Sequence, residues 1–245
     1  MSKNSQEKAY KLLAIQEGIS NGSAKDLIDK GLVYSRGNKV KIARALINVN
    51  AKFKVAEVKK AKILFEDDNI LAVDKPYYEV SENLAKSFKL DLVHRLDKGT
   101  SGVLILSKNS DFKEEIIAEF RNQNVYKEYV AVVNGIFTDS VTVDEPILSI
   151  KKKHAIHSEI NPLGKSAVSH ISPEYVDNKK SKLKVIIETG RTHQIRVHLK
   201  SLGYPIIGDE VYGGKKNNRM LLHSRRIEFL DYDIKCKEDR DFDII

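Results

Sequence analysis

His94-Arg95-Leu96-Asp97-Lys98-Gly99-Thr100-Ser101-Gly102 leads straight into Val103-Leu104-Ile105-Leu106. The first stretch sets one carboxylate among cationic side chains, on a segment that Gly99 and Gly102 allow to turn sharply. The second is a short apolar run of the kind that fills a buried central strand. Arg95 and Lys98 favour an ionised Asp97, because a neighbouring cation lowers a carboxylate pKa by about 1–3. Such a group suits a nucleophile or a base; on an exposed loop it equally caps a turn or pairs with Arg95.

Working outward, Ile63-Leu64-Phe65 and Ile70-Leu71-Ala72-Val73 flank Glu66-Asp67-Asp68-Asn69 and predict a hairpin with an acidic turn. Tyr129 to Val133 and Leu183 to Ile187 predict further strands. Phe112, Ile116, Ile117 and Phe120 recur at helical spacing and predict an amphipathic helix packed on the sheet. Thr192 to Leu202 predicts another, with Ile195, Leu199 and Leu202 inward, Arg196 out of phase with them and Gly203 at its end. Strands outnumber helices and do not alternate with them, so the fold class is α+β with a mixed, largely antiparallel sheet. Toward the N-terminus, Tyr10, Leu13 and Ala14 fall at helical spacing before Gly18. Leu27 and Ile28 belong to a second short helix stopped at Gly31, and Gly37-Asn38 suggests a hairpin. The charged stretch Lys54 to Lys62 separates these regions, which gives domains over 1–61 and 62–245.

His-Arg-Leu-Asp, two free positions and Thr-Ser-Gly over His94–Gly102 resembles the catalytic-aspartate motif of the RluA-type pseudouridine synthases. Asp67 to Pro76 is similar to that family's strand ending in Lys-Pro, and Lys127 to Gly135 to its Lys-x-Tyr-x-Ala-x-Val-x-Gly strand. Gly190-Arg191-Thr192-His193-Gln194-Ile195-Arg196-Val197-His198, Gly203 to Asp209 and Leu221-Leu222-His223 follow in the family's order. Tyr77-Tyr78-Glu79-Val80-Ser81 departs from the pattern, where relatives carry an apolar, glycine-bearing turn and His-Pro.

The resemblance implies an isomerase that converts specific uridines of RNA to pseudouridine, with Asp97 as essential carboxylate, either attacking C1′ or acting as a base at C2′. It implies that Arg196 pairs with Asp97, that Tyr129 lies against the target uracil, and that Leu222 lines its pocket. Arg95 is implied to fill the space left by an extruded base; His94, Arg191 and His193 complete the expected RNA-contacting set, with a structural hydrogen-bonding role the stronger reading for His94. The alternative for Arg196 is a surface contact with phosphate, and for Tyr129 ordinary core packing. The resemblance further implies an S4-like RNA-binding module at the N-terminus. Large-subunit (23S) ribosomal RNA is the expected substrate. Transfer RNA, and a non-catalytic RNA-binding or ribosome-assembly protein, are the alternatives.

Composition agrees with such a partner. The 245 residues carry a formal net charge of +8 with 31% charged and 41% hydrophobic residues, a balance that suits a globular chain facing a polyanion. The basic runs are dispersed, among them Lys59-Lys60-Ala61-Lys62 and Lys151-Lys152-Lys153-His154, and each alone reads as a solvated face. Cys236 is the single cysteine, which excludes an intramolecular disulfide and argues against a cysteine zinc site. His193, His198 and His223 lack metal-binding spacing, and no metal or cofactor is expected. No apolar run approaches the roughly 20 residues that cross a bilayer, and Met1 to Lys11 lacks an apolar signal core. A cytoplasmic enzyme without membrane contact or obligate protein partner is the expectation.

Overall fold

A computed structural model describes residues 5–57, 59–152, 155–177 and 179–244, so Lys153 and His154 of the basic run and Met1–Asn4 of the N-terminus lie outside the described residues. The chain forms two compact units, residues 1–60 and 61–245. The first contains β1 (Gln6–Lys8), α1 (Ala9–Glu17), α2 (Asn21–Asp29), β2 (Val33–Ser35), β3 (Asn38–Lys39), β4 (Leu46–Asn48) and β5 (Phe53–Val55). Gly18 ends α1 at φ 64°, with its N–H returning to the Ala14 carbonyl, and Ser20 starts α2 by accepting from Ser23 N–H. Arg36 and Gly37 both take positive φ, 50° and 75°, the primed turn that suits the β2–β3 hairpin. Leu13, Ala24, Ile28, Val33 and Phe53 form this unit's small core.

The second unit runs β6 (Lys62–Glu66), β7 (Ile70–Lys75), α3 (Ser81–Phe88), β8 (Asp91–Leu92), β9 (Ser101–Ser107), α4 (Ser110–Asn122), β10 (Tyr126–Asn134), β11 (Val141–Asp144), β12 (Ile147–Lys152), β13 (Ala155–Ile160), β14 (Val168–Asp177), β15 (Lys180–Ile187), α5 (Gln194–Ser201), β16 (Leu222–Phe229) and β17 (Tyr232–Lys235). One sheet has the order β11-β14-β15-β10-β16-β9-β7-β6, with β8 beside β9 and β17 beside β16. Every pairing in it is antiparallel except β9 with β16. The α+β class and the mixed, largely antiparallel sheet expected from the sequence are therefore found. Strands β12 and β13 form a separate hairpin.

Period-two alternation splits β9 between the two faces of the sheet. Leu104 and Leu106 join the core that holds Ile195 and Leu199 of α5, while Val103 and Ile105 pack toward Ile116, Phe112 and Phe120 of α4. Cover on both faces explains why this strand reads as an unbroken apolar run. Gly102, where β9 leaves the Asp97 loop, sits at φ 106°, and a Cβ there would lie 2.2 Å from the Ser224 carbonyl oxygen. Only glycine lets β9 and β16 approach this closely.

The helix expected over Thr192–Leu202 occupies Gln194–Ser201, shortened because His193 adopts left-handed backbone at φ 60°. Arg196 is out of phase with the apolar stripe as expected, but the helix is covered on that side too, and Arg196 is only 7% exposed. Among the described residues, no helix is long and apolar enough to cross a membrane.

Candidate active site

The Asp97 loop is fastened on both sides of the aspartate. Ser81 Oγ donates to the Leu96 carbonyl and accepts from the Leu96 N–H, both at 3.1 Å. The buried Lys75 Nζ donates to the carbonyls of Pro76 at 2.9 Å, Glu79 at 2.7 Å and Lys98 at 3.5 Å. Thr100 N–H closes the turn onto the Asp97 carbonyl at 3.0 Å. Burial pushes the Lys75 ammonium down to about 7, against the pull of nearby Asp97. The segment Tyr77–Ser81, which departs from the family pattern, thus supplies two of the groups that hold the loop, the Glu79 carbonyl and the Ser81 hydroxyl.

Arg196 meets the loop from α5. Its Nη1 donates to Asp97 Oδ2 at 2.9 Å, while Nε and Nη2 fork onto Asp209 at 2.7 and 2.9 Å. Asp209 is 2% exposed, and its Oδ1 also accepts from Val211 N–H at 3.2 Å. The guanidinium lies over the Tyr212 ring, 4.9 Å from its centroid. A planar fork fixed on one buried carboxylate leaves its last edge aimed at the other, which a lysine could not reproduce. Asp97 keeps a quarter of its side chain exposed to the cleft.

That cleft is lined by Asp97, Tyr129, Arg196, Arg95, Arg191, His193 and Leu222. Tyr129 reaches it from β10 beside an irregular register, where the pairing with β16 shifts between Glu128 and Tyr129. Burial first, and then the charge of Asp97, raise its phenol pKa, so the hydroxyl is a proton donor at neutral pH. Tyr129 also belongs to the main core, which makes its loss a blow to the fold as well as to the cleft.

The remaining expected residues divide. Arg95 is exposed and its Nε pairs with Glu82 of α3 at 3.0 Å. Arg191 Nε donates to the Ser166 carbonyl at 2.9 Å. His193 Nδ1 lies 2.8 Å from Tyr212 Oη and its Nε2 lies 3.8 Å from Asp97 Oδ2. His94 does not line the cleft. Its ring stacks on Phe120 at 5.0 Å and its Nε2 accepts from Ile105 N–H at 3.0 Å. Burial, reinforced by Lys127, holds its pKa at about 3, so it is a neutral acceptor serving the loop. His198 and His223 likewise spend both ring nitrogens on protein atoms.

Sequence reasoning misses Asp209, Tyr212, Lys75 and Ser81 as parts of this site. Asp209 and Lys75 lie inside quoted motif segments, which is their one signal; Tyr212 and Ser81 lie outside them.

A family profile described as RNA pseudouridylate synthase matches residues 55–201. An uncharacterized RNA pseudouridine synthase of Helicobacter pylori strain J99 is 46% identical over 242 residues, which span 97% of this chain and 100% of that one. The ribosomal large subunit pseudouridine synthase C of Buchnera aphidicola subsp. Baizongia pistaciae is 37% identical over 196 residues, covering 68% of this chain and 62% of the relative. Among solved structures, human RNA pseudouridylate synthase domain containing 1 matches with a TM-score of 0.62 at 25% identity, over 76% of this chain and 86% of that one.

Proposed function

The chain belongs to the RNA pseudouridylate synthase family, enzymes that isomerise uridine to pseudouridine in RNA, and we propose that its substrate is large-subunit ribosomal RNA and that Asp97 is its catalytic carboxylate. Relatives named for the ribosomal large subunit support the choice of RNA. The observation that carries the role of Asp97 is its grip by Arg196, which is itself locked on buried Asp209 at the head of the cleft.

The isomerisation breaks the N1–C1′ bond, forms C5–C1′, and moves one proton from C5 to N1. That balance requires no oxidant and no metal. It requires an ionised carboxylate held against the ribose, since a misplacement of about 1 Å can lower a rate roughly a hundredfold. Ser81, Lys75 and Arg196 supply that hold. Tyr129 serves as the surface on which the detached uracil stays stacked while it turns, an interaction worth about 1–3 kcal/mol. Leu222 closes the pocket, and Arg95 and Arg191 contact RNA at its rim. Opening a paired target costs a few kcal/mol, and Arg95, whose exposure supports this role, takes the vacated position. The N-terminal unit serves as an S4-like RNA-binding module, and the enzyme acts in the cytoplasm on ribosomal RNA.

Pseudouridine mapping of total RNA from cells with and without the protein tests this reading. Loss of modification at large-subunit sites is expected. Loss confined to transfer RNA would replace the substrate, and an unchanged map would overturn the proposal.

A further inference from the structure

His193 holds left-handed backbone at φ 60°, a conformation that a non-glycine residue keeps only where its surroundings over-determine it. The result is an imidazole facing the cleft. Its Nδ1 lies 2.8 Å from Tyr212 Oη, and that phenol oxygen already accepts from Ser158 N–H at 2.9 Å. Tyr212 has one proton to give; the Ser158 hydroxyl also lies beside the phenol, and Nδ1 of His193 is an acceptor at 2.8 Å. A neutral ring that accepts at Nδ1 carries its own proton on Nε2. Nε2 stands 3.8 Å from Asp97 Oδ2, the same oxygen that Arg196 holds at 2.9 Å.

We propose that His193 is a positioning residue for Asp97: Tyr212 fixes its Nε2–H tautomer, and this donor, beyond hydrogen-bond reach at 3.8 Å in the free protein, closes on Oδ2 beside Arg196 when RNA binds, so that Oδ1 is the oxygen presented to the ribose. The inference rests on the reading of Asp97 as the catalytic carboxylate.

An imidazolium would keep the Nε2–H donor; what the neutral ring preserves is the basicity of Asp97. Burial favours the neutral form most strongly; Asp97 and Asp209 oppose it, while Arg196 and His157 support it, and the pKa lies below the ordinary 6.5. Protonation would set a second cation beside Asp97 and weaken it as a base or nucleophile. Activity therefore falls as pH drops through the His193 pKa. Removing the Tyr212 hydroxyl frees Nδ1 to take a proton and moves this acid limb to higher pH.

The test is single-turnover release of tritium from C5-tritiated uridine in total RNA purified from cells lacking the protein. His193→Asn should lower the rate at saturating enzyme by about tenfold or more, equivalent to about 1.4 kcal/mol, while the half-saturating enzyme concentration changes less than about twofold. His193→Gln, which keeps an N–H donor near Nε2, should recover most of that loss. Tyr212→Phe should shift the acid limb upward, and the same change made in His193→Gln should shift nothing. A His193→Asn rate within about twofold of the parent, or an unmoved acid limb in folded Tyr212→Phe, overturns the inference. If Tyr212→Phe does not fold because Ser158 N–H loses its acceptor, the comparison of His193→Asn with His193→Gln decides alone. Full activity in Asp97→Asn would instead defeat the reading of Asp97.

Discussion

Asp97 and Arg196 are 99 positions apart in the chain and meet at 2.9 Å. The contact joins the loop before β9 to the helix after β15, and Asp209 holds its far side through two further hydrogen bonds. Arg196 is therefore the bridge between a cleft-facing carboxylate and a buried one.

Replacing Arg196 separates charge from geometry. Arg196→Lys keeps a cation but loses the fork, and should lower the modification rate roughly a hundredfold, the size expected when a reacting group is misplaced by about an ångström. Arg196→Met removes the cation and strands buried Asp209, so it should lose about 3–5 kcal/mol in denaturant melts. Parental activity in Arg196→Lys would contradict the assigned role.

Tyr129 needs a conservative change, because it is core as well as cleft. Tyr129→Phe should leave stability within about 1 kcal/mol and RNA affinity nearly intact, since the stacking face is retained. Tyr129→Ala should lose about 3–5 kcal/mol of stability together with activity. Equal activity losses in folded Phe and Ala variants would indicate that the hydroxyl, not the ring face, carries the function.

What is legible in the sequence is what short-range pattern encodes. The apolar run of β9 and the acidic turn before β7 read correctly because each depends on neighbours in sequence. Strand β14 is obscured by Pro173 and an irregular register between Pro173 and Tyr175. The β12–β13 hairpin is masked in the sequence by Lys151 and Lys152 at the end of β12. Asp209 and Tyr212 are illegible for a different reason, since their importance lies in what α5 brings to them in space. Lys75 is visible as part of Lys-Pro, but its three carbonyl acceptors come together only in the fold. His94 opens the Asp97 motif, but its ring turns onto Phe120 and accepts from Ile105 N–H, a hydrogen-bonding role inside the fold.

Gly102→Ala tests the junction of β9 and β16. An added Cβ meets the Ser224 backbone at 2.2 Å and the backbone sits at φ 106°. Strain and overpacking together should destabilise the protein by roughly 2–6 kcal/mol, read as a fall in the urea midpoint. A variant as stable as the parent would show that the strands can separate freely there.

Acid stability should depend on Glu238. Burial opposes its charge, but hydrogen bonds from Lys182, its own backbone N–H and Arg225 outweigh burial and draw the pKa down to about 2. A carboxylate lowered on folding stabilises the protein fully above its ordinary 4.5 and loses that contribution as pH falls toward about 2. Glu238→Gln should flatten the decline of the urea midpoint over this window. Parallel curves for the two proteins would contradict the pairing.

The most direct measurement is tritium release from C5-labelled RNA by Asp97→Asn, made beside a melt and an RNA-binding isotherm. Release abolished, with stability and affinity close to the parent's, is the result expected of a catalytic carboxylate. Release at the parental rate by a folded Asp97→Asn protein would contradict the account.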